Sequence, residues 1–189
     1  MKATYVWGAA LSMLGGCSTL SGIDSNYPKG WPLVESADTN CPNLSGDYQN
    51  RGSYSYSPLG GSHYLAYRFG MHVNTVRELD AIDTIRIHPV EDDAVLVEAR
   101  SSGVVVMSRR LSFKTKELSC SSGAMVFAPA TAKTLDGFGT AVKKSTVWFK
   151  KGVDGSIIGE ENSSTAAAAL YVVPIVGSQT FWYRWKLQK

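Results

Sequence analysis

Three cysteines, three histidines, two short acidic runs and a C-terminal aromatic cluster are the residues of this 189-residue chain whose types could do chemistry. His63, His72 and His88 are scattered, and no two share the spacing that holds a metal on one helix face. His88 follows the alternating Ile85 and Ile87, which puts it on the solvent side of a strand. Glu91-Asp92-Asp93 offers carboxylate oxygens, but a calcium site draws on six or more converging ones. Between two strand patterns this run reads as a hairpin turn. Glu160 and Glu161 could act as a carboxylate pair, yet adjacent residues on a strand point to opposite faces. The lysines Lys143, Lys144, Lys150 and Lys151 read as a charged strand surface. No G-x-S-x-G, H-E-x-x-H, Walker loop or dinucleotide fingerprint occurs. The residue types thus point to no catalytic residue, no metal site and no cofactor.

The aromatic end is the densest cluster. In "FWYRW", Arg184 stands among rings, and an arginine packed on an aromatic face gains roughly 0.5–2 kcal/mol. Tyr48, Trp148, Trp182, Arg184 and Trp185 are the candidates for binding a ligand or for closing the end of a barrel.

The first cysteine has a different setting. Lys2 is followed by a charge-free apolar run over residues 3–16, shorter than the ~20 residues that span a bilayer as a helix. A charged start, a short apolar stretch and small residues at its end form a secretory signal. Leu14-Gly15-Gly16-Cys17 resembles the lipobox of bacterial lipoproteins. That resemblance implies cleavage before Cys17, acylation of its sulfur and a mature N-terminus there, so the expected covalent group is lipid on Cys17. One acyl chain binds membranes marginally at about 0.8 kcal/mol per buried methylene, and two or three make a stable anchor. Through the same resemblance, Ser18 after the cysteine, in place of an aspartate, implies the periplasmic face of the outer membrane for a Gram-negative source.

With Cys17 taken by lipid, Cys41 and Cys120 remain as an even pair in an oxidising compartment. A bond between them would close roughly 80 residues, which the chain-entropy model values at about 4–5 kcal/mol. Two free buried thiols are the alternative; no His or second Cys stands at zinc-ligand spacing from either. The net charge of +3 speaks against a dedicated nucleic-acid surface, and 44% apolar residues suffice for a real core. The organisation expected is a signal peptide over 1–16, a lipidated N-terminus and flexible tether over 17–40, and a single β-rich periplasmic domain over 41–189.

That domain must be built from strands. Strand patterns cover 44–52, 83–90, 94–100, 104–113, 118–129 with a bend at Gly123, 140–151, 156–162 and 179–187. Residues 61–70 suit a short helix or turn. Residues 163–174 could be helical because of their alanines, but flanking β patterns favour strand. The fold class predicted is mainly β, an antiparallel meander with closure into a barrel left open, and with at most one or two short helices.

Two further resemblances bear on the domain. Gly46-Asp47-Tyr48 and Arg184 resemble the lipocalins and related calycins, where a G-x-W motif on the first strand meets a basic residue of the last strand across the barrel's closed end. Here tyrosine takes the tryptophan position. The resemblance implies a carrier of a small apolar ligand, lined by some of Phe69, Tyr48, Trp148, Phe149 and Trp185. "CPNLSGDYQNRG" and the aromatic-basic last strand are similar to small lipoproteins of Proteobacteria whose domain opens with C-P-x-L-x-G-x-Y. That likeness supports the location and the Cys41–Cys120 link. The leading expectation is a membrane-anchored envelope lipoprotein with a non-catalytic structural or interaction role, partnered by the membrane and another envelope protein, of open oligomeric state. An apolar-ligand carrier is second, and an envelope enzyme without a recognisable motif third.

Overall fold

A computed structural model describes residues 26–35, 41–55, 63–71, 73–91, 93–136, 139–169 and 173–188. The signal segment, Cys17, His72 and Asp92 lie outside them. The elements in chain order are β1 (Gly46–Gln49), β2 (Ser53–Tyr54), α1 (Leu65–Arg68), α2 (Val76–Asp80), β3 (Thr84–Glu91), β4 (Ala94–Ser101), β5 (Val104–Ser112), β6 (Leu118–Ser121), β7 (Ala124–Asp136), β8 (Gly139–Lys151), β9 (Ile157–Ala169) and β10 (Val173–Trp185). They form two antiparallel sheets, ordered β1-β3-β4-β5 and β2-β10-β9-β8-β7-β6. The protein is mainly β with two short helices.

Alternation places the core. Ile85 and Ile87 of β3 and Val95, Val97 and Ala99 of β4 are buried, while Arg86, His88, Leu96 and Glu98 between them are not. Tight turns hold the hairpins in register. Ser102 and Gly103 (φ 51° and 80°) join β4 to β5, and Ser122 and Gly123 (φ 50° and 69°) join β6 to β7. Left-handed conformation at both central residues matches the twist of the flanking strands. Gly123 is therefore a hairpin corner between two strands, where a bend inside one strand was expected. Residues 163–169 and 173–174 are strand, as favoured. β9 lies between β8 and β10, and ladder bonds on both sides outweigh alanine's helical preference.

One flank is stitched by main chain beyond the strands: Gln49 N donates to Lys186 O (2.9 Å) and Gln188 N to Asp47 O (2.7 Å). At the other flank, no ladder joins β5 to β6 among the described residues. Arg109 spans part of that gap, donating to the carbonyls of Phe69 (3.0 Å) and Gly70 (2.9 Å) and pairing with Glu117. The sheets enclose the core without closing into a barrel.

The short helix expected over 61–70 is α1, which puts Leu65, Ala66 and Phe69 between the sheets. Phe69 stacks on Phe149 (4.8 Å between centroids), Phe149 approaches Trp185 (6.1 Å), and Trp185 stacks on Tyr183 (5.7 Å). Trp185 fits because two glycines give way. A Cβ at Gly52 or at Gly159 would stand 2.6 or 2.7 Å from its indole. Asn50 anchors the helical segment. Its buried amide donates to the carbonyls of Leu79 (3.0 Å) and Ile82 (3.1 Å) and accepts from Ala66 N (2.9 Å).

Packing begins before Cys41. Residues 26–35, inside the stretch expected as tether, pack against the six-stranded sheet, with Tyr27 on its outer face and residues 33–35 paired with the end of β8. Tyr27 sets its ring edge-on to Trp182 (4.9 Å), Glu35 N donates to Lys151 O (2.8 Å), and Val153 N donates to Leu33 O (2.9 Å). Tyr27, Trp31, Pro32, Leu33 and Val34 form an apolar run that the polar average of the segment conceals.

Candidate interaction surface on the six-stranded sheet

Strands β7 to β10 each run 13 residues, longer than the core they help to cover. Their cross-strand register sorts side chains onto two faces. On the core face, Phe149, Gly159 and Tyr183 form one row and Val147, Glu161 and Phe181 the next. On the outer face the rows are Lys150-Ile158-Arg184, Trp148-Glu160-Trp182, Thr146-Asn162-Thr180 and Lys144-Ser164-Ser178.

The last two outer rows floor an open groove of about 810 Å³, walled by Asn26 and Ser55. Hydroxyls and amides make up most of its lining, with one ammonium and Phe181, and Thr180 Oγ1 donates to Asn162 Oδ1 (2.8 Å) across the floor. Such a surface offers hydrogen bonds and a positive charge, which suits a polar or anionic partner. An aromatic and ionic belt bounds it toward the core end. Lys150 pairs with Glu160 (2.6 Å) and lies 5.7 Å over the Trp182 ring. Arg184 pairs with Asp154 of the β8–β9 turn. Burial alone would raise the Asp154 carboxyl, but hydrogen bonds from Ser156 and Arg184 hold it below the usual carboxylate range.

On the core face, Glu161 is buried beside Arg68 of α1. Its carboxylate accepts from Arg68 Nη2 (2.9 Å), Ser145 Oγ (2.5 Å) and Tyr183 OH (3.1 Å), and the guanidinium lies 4.2 Å over the Tyr183 ring. Burial would raise this acid too. The Arg68 charge and the three donors outweigh it and leave the carboxyl low. Glu160 and Glu161 do face opposite ways, as a strand requires. The buried ion pair was not legible, because Arg68 comes from a helix 93 residues away in sequence.

The expected site residues divide between the faces. Tyr48 and Trp185 are core residues at 1% and 0% exposure. Burial, with a smaller push from Glu35, raises the Tyr48 phenol to about 12. Trp148, Trp182 and Arg184 belong to the outer face, with Trp182 covered by Tyr27. Arg184 thus does not meet Tyr48 across a barrel end. Tyr48, Phe69, Phe149 and Trp185 fill the space between the sheets, where a carrier would need them to line an opening.

Cys41 and Cys120 are joined by a disulfide, with Cα atoms 5.1 Å apart. His88 is half-buried on β3. His63 lies against Tyr64 and Tyr54, and burial, with Arg51 nearby, pushes its imidazole below the ordinary value. Among the described residues no three His, Cys, Asp or Glu converge on a metal position. No helix among them is long and apolar enough to cross a membrane. The chain matches no family model, no curated protein and no solved structure.

Proposed function

We propose that this is a lipid-anchored envelope protein with an interaction role, held at the periplasmic face of the outer membrane by acyl chains on Cys17. Its outer β8–β10 face would be the surface that meets another envelope component. One observation carries the reading: four long strands run past the core and carry a hydrogen-bonding groove that the interior packing does not need. The anchor and the groove are also close in sequence. From Cys17 to Asn26 the chain reaches at most about 30 Å, at roughly 3.3–3.6 Å per residue. The groove would stay near the membrane surface, where a polar or anionic partner is within reach.

The test uses the full chain, with its own leader, purified from membranes together with what co-purifies, identified by mass spectrometry. Lys144→Glu should lose the co-purifying component while leaving the melting midpoint unchanged. The anchor is tested separately. If Cys17→Ser leaves membrane attachment and radiolabelled palmitate incorporation as they were, the lipoprotein reading is overturned.

A further inference from the structure

We infer that the distal halves of β7 to β10 join head to tail with those of further copies of this chain, the free edge of β7 pairing with the free edge of β10. This rests on the reading of the distal sheet as the interaction surface and names a second copy as a partner.

The two edges are open over the same stretch. On one side, β6 pairs with β7 at residues 124–127, and Ala128 N donates to Glu117 O. Beyond that point no described residue pairs with the outer edge of β7. On the other side, β2 pairs with Tyr183 and Arg184 of β10, and Ser55 N donates to Trp182 O. From there to Val173 no described residue pairs with the outer edge of β10. The register ties the two edges to one height. Thr131, Lys144, Ser164 and Ser178 form one cross-strand row, and Asp136, Gly139, Ala169 and Val173 form another. Among the described residues, 131–136 and 173–178 are therefore equal lengths of unpaired backbone at opposite sides of one four-stranded sheet. Unpaired edges of this kind are templates for another strand.

Strand direction selects the way copies meet. All three pairings within the four strands are antiparallel, so β7 and β10 run in opposite directions. When β7 of one copy meets β10 of a second copy in the same orientation, the new pair is antiparallel too, and the alternation continues without a break. Like edges, β10 on β10 or β7 on β7, pair antiparallel only if one copy is turned end for end. That arrangement points the two packed cores in opposite directions and leaves each copy one open edge. Head-to-tail joining covers both edges and keeps every core at the same end, as chains anchored to one membrane require. A heterologous joint closes into a ring or continues as a filament.

β10 also shows which of its amides are available. Trp182 O faces β2, and the β9–β10 register runs without a shift. By alternation the amides of Thr180, Ser178 and Val176 face the open edge, while Pro174 has no amide there to offer.

Cross-linking of the full chain in detergent tests this directly. Within one copy, Thr131 and Ser178 are three strand spacings apart, roughly 14 Å at about 4.8 Å each. A disulfide needs Cα atoms within about 7 Å. With both Thr131→Cys and Ser178→Cys in one chain, oxidation should give a ladder of multimers. Mixing the two single variants should give dimers and nothing larger, and neither single variant alone should cross-link. Ser178→Pro removes one edge amide to which no described residue bonds. It should reduce the native mass to one chain while the Cys41–Cys120 bond and the melting midpoint stay unchanged.

Three results overturn the inference: a single-chain mass for the native protein at every concentration, cross-linking of either single variant with itself, or association that survives Ser178→Pro. The last would direct attention to β5, whose edge exposes Val104, Val105 and Val106. If palmitate incorporation and the Lys144-dependent partner persist while the native chain is single, this inference falls and the proposed function stands.

Discussion

At Glu161, burial and charge pull the carboxyl in opposite directions, and charge wins. Arg68 reaches it from α1, so this pair fastens the helical segment to the six-stranded sheet. Replacing Glu161 by Gln keeps the shape but leaves a buried guanidinium without its counter-charge. Breaking one partner of a buried pair typically costs about 3–5 kcal/mol, and the Tyr183 ring under Arg68 places the expected loss near the lower end, about 3 kcal/mol. Denaturant unfolding at neutral pH measures it. The pH dependence has a definite sign. The folded carboxyl titrates below its ordinary 4.5, so its contribution is complete above that value and is lost as pH falls through the folded pKa. The gap between native protein and Glu161→Gln should accordingly shrink on acidification. A constant gap would show that the charge is not what the pair contributes. Sequence reasoning placed Glu161 on the face opposite Glu160 and could go no further. Arg68, Ser145 and Tyr183 are brought to it by three separate elements.

Among the elements, legibility followed the range of the interactions that form them. β3 and β4 were plain from alternation and a turn, both local. The tight turn at Ser102-Gly103 was equally local, and its demand on the backbone can be isolated. Gly103 has φ 80°, and a Cβ there would meet nothing within 4 Å. Gly103→Ala therefore probes left-handed conformation alone and should cost about 1 kcal/mol. Gly103→Asn should cost less, because asparagine tolerates that region. Thermal unfolding of the two variants orders them; equal loss in both would mean that something other than the backbone is disturbed. α2 was missed although its signal is in the chain. Thr75 precedes Glu78 by three residues, and Glu78 N donates to Thr75 Oγ1 (3.3 Å) while Asn74 N donates to the Glu78 carboxylate (3.1 Å). That is a form of the capping box. Only Leu79 of this helix is buried, so no apolar period announced it.

For the whole molecule, the division into two sheets depends on pairings that have no local signature. β1 pairs with β3 across two helices, and β2 pairs with β10 from the far end of the chain. A meander of neighbouring strands is what periodicity alone supplies, which is why closure stayed open. The cysteine count reached further. Cys41 leads into β1 of one sheet, and Cys120 lies on β6 at the edge of the other. The disulfide therefore ties together the two sheets, which among the described residues are also stitched by main-chain bonds at residues 47–49 and 186–188. Cys41 packs against the core while Cys120 is exposed, so a reductant can reach the bond without prior unfolding. Opening it frees a loop spanning a sequence separation of 79, and the loss expected is about 2–5 kcal/mol. Urea unfolding with and without reductant measures that loss, and the double variant Cys41→Ser with Cys120→Ser should reproduce the reduced protein. The slope of unfolding against urea should also change, because a cross-linked unfolded chain exposes less surface than an open one. Identical midpoints and slopes in both states would mean that the main-chain stitch and the packed core hold the sheets by themselves.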